Sequence, residues 1–110
     1  MSKFGFVSSG PSFEAHLEKL QEPARSLMLD LRKFVTSLGA NVIEEVRPHR
    51  VVYAKTLTFR TFLDIEPAVD HLIVEIRASR QDPPSRSILR TQQDGDNLKN
   101  AIAQAYEKIR

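Results

Sequence analysis

The residues best suited to chemistry in this chain are arginines. Between residues 47 and 90 it carries eight Lys/Arg against five Asp/Glu, and seven of the eight cations are arginine. A guanidinium is a planar fork of donors that matches a carboxylate or a phosphate two bonds at a time. Arg47, Arg50, Arg60, Arg77 and Arg80 are the candidate ligand-binding cations, with Tyr53 and Phe62 as their aromatic neighbours. Two residues apart on a strand, Arg60 and Phe62 share a face, and an exposed ring beside a guanidinium can stack a nucleobase or an apolar ligand. The same ring equally suits burial under a helix or a partner subunit. The arginines equally suit a solvated sheet face with acids set among them.

The acidic residues suggest a second, more remote chemistry. Asp64 followed by Glu75-Ile76-Arg77 imitates the acid, then acid-x-base, arrangement of a metal-dependent nuclease, which needs two carboxylates near one divalent cation. Arginine stands where lysine is usual, and acid–base pairs across neighbouring strands are ordinary sheet features worth roughly 0.2–1 kcal/mol each. No catalytic residue is assigned on this basis. His16, His49 and His71 fall in different elements, so no metal site is expected from them. The chain has four glycines and no Gly-rich phosphate loop, no His-x-x-x-His pair and no nucleophile-elbow serine. The absence of cysteine excludes disulfides, thiolate zinc sites, iron–sulfur clusters and cysteine nucleophiles. No cofactor is expected.

The elements that must position these side chains read clearly from the periodicity. Phe13, Leu17 and Leu20 form one helical stripe over Phe13 to about Gln21, with Ser12 as N-cap. Pro23 opens a second helix whose buried face is Leu27, Leu31, Phe34, Val35 and Leu38, with Met28 at its flank and Gly39 as the stop. From Asn41 the period becomes two. Short strands are predicted around Val42 to Val46 and Arg50 to Lys55. A longer one follows in which Leu57, Phe59, Thr61, Leu63 and Ile65 alternate with Thr58, Arg60, Phe62, Asp64 and Glu66. Leu72 to Arg77 gives a further strand, Ala78 to Arg86 an exposed loop, and Ile88-Leu89 a short edge strand. Asp94-Gly95-Asp96 predicts a turn, with Asp96 capping a closing helix marked by Leu98, Ile102, Ala105, Tyr106 and Ile109.

The connections between strands are too short for crossover helices, so the strands must pair antiparallel. The order predicts an α+β fold: two N-terminal helices, an antiparallel sheet of four to five strands and a C-terminal helix, with the helices on one sheet face. At 110 residues this is one domain over 12–110 behind a lead-in of residues 1–11. A net charge of +2 and 41% apolar residues describe a globular chain. With no signal-like or membrane-length apolar run, the cytoplasm is the expected compartment.

The series Leu17-Glu18-Lys19-Leu20-x-Glu22-Pro23-x-Arg25-x-Leu27, Leu31-Arg32 through Leu38-Gly39, Val42-x-Glu44-Glu45, Tyr53 and Phe59, Phe62 to Pro67, Leu72-x-Val74, and Asp96-x-Leu98 to Ala105-Tyr106-Glu107 resembles the domain of unknown function 5655 family, often labelled "predicted transport protein". The resemblance spans roughly Phe13 to Ile109 and rests on the order of its markers. The glycine-rich, aromatic motif of that family's last loop is replaced here by Gln81-Asp82-Pro83-Pro84-Ser85-Arg86-Ser87. The family carries no established activity, and its association with nuclease-bearing proteins implies an accessory binding module. The resulting expectation is a non-enzymatic module for a small ligand, peptide or protein, monomeric or homodimeric. Its contact surface is expected on the central sheet and the Ala78 to Arg86 loop. Nucleic-acid binding through the arginines is the alternative.

Overall fold

The structure, a computed structural model, describes residues 11–56, 60–79, 81 and 83–109. The first helix, α1 (Phe13–Glu18), starts at Ser12, whose hydroxyl accepts from the Ala15 amide at 3.0 Å. It ends before Gln21, because that residue's amide donates instead to the Val69 carbonyl at 2.7 Å. The second helix, α2 (Ala24–Thr36), follows Pro23 and buries Leu27, Met28, Leu31 and Val35 completely. It stops at Ser37 rather than at Gly39, and no described glycine adopts a left-handed backbone. Gly39 serves close packing instead: a Cβ there would meet the Tyr106 hydroxyl, which would have to shift.

Five strands follow: β1 (Val42–Val46), β2 (Val51–Lys55), β3 (Arg60–Pro67), β4 (Leu72–Ile76) and β5 (Ser85–Leu89). They pair in chain order, each antiparallel to the next, as the short connections require. The β1–β2 hairpin closes over Pro48 and His49 with the Arg47 amide on the Arg50 carbonyl at 2.8 Å. The edge strand β5 takes in Ser85 and Arg86, two residues of the expected loop. Leu57, Thr58 and Phe59 of the expected long strand lie outside the described residues.

The last helix, α3 (Gln92–Lys108), is capped by Thr91, five residues before the Asp96 cap predicted from the Asp-Gly-Asp turn signal. The reason is a capping box. Thr91 Oγ1 accepts from the Asp94 amide, and the Asp94 carboxylate accepts from the Thr91 amide. Two of the donors left over at a helix start are thereby satisfied one turn upstream of Gly95. Gly95 itself becomes part of the helix and lies where α3 crosses Leu27 and Leu31 of α2.

One apolar cluster joins the helices to one face of the sheet. Val51 and Tyr53 of β2, Leu63 and Ile65 of β3, and Val74 of β4 meet Leu27, Leu31, Ile102 and Ala105 of the helices there. Each such side chain, taken fully out of water, stabilises the fold by roughly 1.5–3 kcal/mol. The opposite face carries the cross-strand row Glu45, Val52, Asp64, Glu75 and Arg86, which lies outside the core cluster, and among the described residues no helix covers it.

The alternation predicted for β3 fails at one place. Tyr53 pairs with Leu63 but Ala54 pairs with Thr61, so Phe62 is an extra residue in β3, a β-bulge. The bulge turns Phe62 to the helix side together with Leu63. There it is fully buried and packs edge-on against the Tyr106 ring, with centroids 5.5 Å apart. Of the two alternatives the sequence leaves for Phe62, the structure contains the one in which a helix covers it.

Candidate functional site

The helix-free face holds a concavity of about 710 Å³. Its floor includes Val52 of β2 and Thr61 and Asp64 of β3. Three of the candidate arginines line it. Arg47 approaches from the β1–β2 hairpin, Arg60 from the start of β3, and Arg77 from the end of β4. The far wall is the segment after β4, through Ser79, Gln81, Pro83 and Pro84, so the loop and the sheet meet in one depression.

The electrostatics follow from the strand register. Asp64 and Glu75 are direct partners across β3 and β4, and Glu66 lies two residues along the same face of β3. Arg50 donates to Asp64 Oδ2 at 3.0 Å and lies 3.7 Å from Glu66. That hydrogen bond, with the charge of Asp64 behind it, holds the Arg50 guanidinium still more firmly protonated than usual. Arg77 donates to Glu75 at 3.2 Å, and Arg47 to Glu45 at 2.7 and 3.2 Å. Asp64 is buried, at 7% exposure, while the arginines keep much of their surface in water. The acids of this face are therefore neutralised in place by Arg50, Arg77 and Arg47, of which Arg47 and Arg77 also line the depression.

This geometry bears on the nuclease-like arrangement. Asp64 and Glu75 do face each other, but each is engaged by a guanidinium, and no group of three His, Cys, Asp or Glu among the described residues is placed to hold a metal ion. His16 and His49, expected to lie apart, share a smaller cleft of about 260 Å³ with Lys19 and Glu66. The buried His16 donates from Nε2 to the Arg47 carbonyl at 2.8 Å, which ties α1 to the β1–β2 hairpin.

The other predicted site residues are placed differently. Tyr53 lies in the core with no exposed surface, its hydroxyl donating to Glu44 Oε2 at 2.7 Å. Burial, followed by that hydrogen bond, raises its pKa far above the ordinary phenol value. Glu44 is gripped in turn by Arg32 of α2 through two bonds of 2.9 Å. Tyr53 and Phe62 are thus corrected from candidate ligand contacts to core residues, since no ring face of either is open to a ligand. Arg80 lies outside the described residues. The floor residues Val52 and Thr61 were missed by sequence reasoning. The signal for Val52 was present in Val51-Val52-Tyr53, three consecutive apolar residues that call for burial on both strand faces.

No family model matches this chain, and neither curated proteins nor solved structures provide a match. No helix among the described residues is long and apolar enough to cross a membrane.

Proposed function

We propose that this domain is a non-enzymatic binding module that seats an anionic ligand in the concavity of its helix-free sheet face. The observation carrying this reading is the convergence of Arg47, Arg60 and Arg77 on one depression from three separate parts of the chain. A partner's carboxylate or phosphate would add charge-assisted bonds to guanidinium groups of which Arg47 and Arg77 are already held in position by Glu45 and Glu75. The resemblance to the domain of unknown function 5655 family implies an accessory binding module, which agrees with the binding-module part of this reading and says nothing of the ligand.

Nucleic acid is the second reading, resting on the same arginines. Two features place it second. Tyr53 and Phe62 are buried, so the stacking platform that would tolerate any base is missing from them. Glu45, Asp64, Glu66 and Glu75 share the face, and a phosphate backbone would meet them throughout its length.

The direct test follows the arginine Nε–H resonances in ¹H–¹⁵N spectra while inorganic phosphate, and separately citrate, is added. Saturable shifts at Arg47, Arg60 and Arg77, with none at Arg25 on the helix side, are expected. Shifts that grow linearly and equally at all arginines would reject a built site.

A further inference from the structure

Given the anionic-ligand reading above, on which it rests, we infer that the occupant is an extended acidic segment of a protein partner. At the loop wall Arg60, Ser79 and Gln81 also line a second hollow of about 380 Å³, completed by Ala78 and by Lys108 near the end of α3. The two hollows share that wall, and the trough formed by the first carries cations at Arg47, Arg60 and Arg77, with Lys108 on the second. From the end of β1 to the end of β4 it crosses three strand spacings. At ~4.8 Å each this is about 14 Å across the strands, and by register Arg77 also lies about four residues, ~13 Å, along them from the level of Arg47, so the span is about 19 Å, the length of about six residues of extended peptide at ~3.3 Å per residue.

The charge on the trough selects among polyanions. Arg47 and Arg77 each already hold a carboxylate, Glu45 and Glu75, and the buried Asp64 is held by Arg50. The trough is thus only modestly cationic, built from guanidinium–carboxylate pairs. A nucleic-acid strand would bring an unbroken row of phosphates past those acids, whereas a peptide can set a carboxylate opposite each arginine and neutral groups opposite each acid. Peptide amides also suit the neutral polar lining of Thr61, Ser79 and Gln81, and Pro83-Pro84 offers an apolar rim to its side chains.

The test uses the full chain and three probes: fluorescein-labelled hexaglutamate, a labelled ten-nucleotide oligo(dT), and inorganic phosphate. Hexaglutamate is expected to bind, and Arg77→Glu to weaken it by about tenfold or more, as removal of a charge-assisted pair and its replacement by repulsion should. Lys33→Glu, on the exposed side of α2, is expected to leave binding unchanged, and circular dichroism checks that both variants are folded. If oligo(dT) binds more tightly than hexaglutamate at 150 mM salt and Arg77→Glu removes it, the acidic-peptide inference is overturned while the anion-site reading stands. Phosphate shifting the three arginines with neither polymer bound likewise overturns the peptide inference and leaves the anion site standing. If no probe perturbs those arginines, the anion-site reading fails and the inference with it.

Discussion

Asp64 and Glu75 face each other directly across β3 and β4, two carboxylates side by side in the centre of the helix-free face. Like charges in that position repel, so the face is stable only because cations stand on either side of them. Arg50 reaches Asp64 from β2's end of the sheet, Arg77 holds Glu75, and Arg86 is Glu75's cross-strand partner on β5. The arginines of the candidate site therefore have a structural role before any ligand arrives.

Removing Arg50 exposes this dependence. In Arg50→Ala the Asp64 carboxylate remains buried with Glu75 opposite and its hydrogen bond gone, and the expected loss is about 1–3 kcal/mol in urea unfolding. Asp64→Asn in the same background should return most of it, because the unpaired charge is then absent. A loss within about 0.5 kcal/mol, that of an ordinary surface substitution, would mean that water solvates Asp64 well enough alone.

Tyr53 carries an alkaline prediction. Its pKa is raised in the folded state by burial and by the bond to Glu44, while in the unfolded chain it ionises near the ordinary value of about 10. Above that pH the unfolded state gives up a proton that the folded state keeps, so stability is full below about pH 10 and falls as pH rises further. Ultraviolet titration of the folded protein should leave the Tyr53 phenol un-ionised until the alkaline unfolding transition, at which it ionises cooperatively. Tyr53→Phe should remove this sensitivity and cost about 0.5–1.5 kcal/mol at neutral pH. A smooth titration of Tyr53 below the unfolding transition would show its hydroxyl open to solvent.

The sequence made the helix stripes and the antiparallel order legible because both depend on local period and connection length, as in Leu27, Leu31 and Val35 or in the β3–β4 pair. It also offered the arginine stretch as a candidate site, and three of those arginines line one depression. It did not reveal that Phe62 is a bulge residue. A bulge is one extra residue in one strand, and the run from Arg60 to Glu66 reads equally well as unbroken alternation. Nor did it show which arginines converge, since Arg47 and Arg77 meet only through the register of three intervening strand pairs. The start of α3 was misplaced for a third reason: Asp94-Gly95-Asp96 is a strong local turn signal, overridden by the Thr91 capping box and by α2.

Gly95 tests that override. In an exposed helix, replacing glycine by alanine stabilises by ~1 kcal/mol, from propensity alone. Here the added methyl would collide with Leu27 Cδ1 and touch Leu31, both fully buried, so Leu27 would have to repack inside the core. Overpacking of that kind costs about 1–3 kcal/mol, so Gly95→Ala should be destabilising in spite of its better propensity. Pairing it with Leu27→Val, which clears part of the space, should be less harmful than the two single losses added together. Simple additivity would indicate that the helices have moved apart instead.

Asp94 gives the matching prediction in acid. Its carboxylate accepts from the amides of Arg90 at 2.8 Å and Thr91 at 3.1 Å, and these bonds, the Arg90 amide first, hold its pKa below the ordinary carboxylate value. A depressed folded-state pKa contributes stability that is present above the unfolded value, near 3.9, and is lost as pH falls through the folded one. Asp94→Asn should therefore be less stable than the parent at neutral pH, and the difference should shrink between about pH 5 and pH 2 as the parent's own carboxyl takes up its proton. Urea midpoints for both proteins across that range measure the closing gap. A gap that stays constant with pH would locate Asp94's contribution in its shape rather than its charge, whereas closure would show that the ionised carboxylate starts α3 at Thr91.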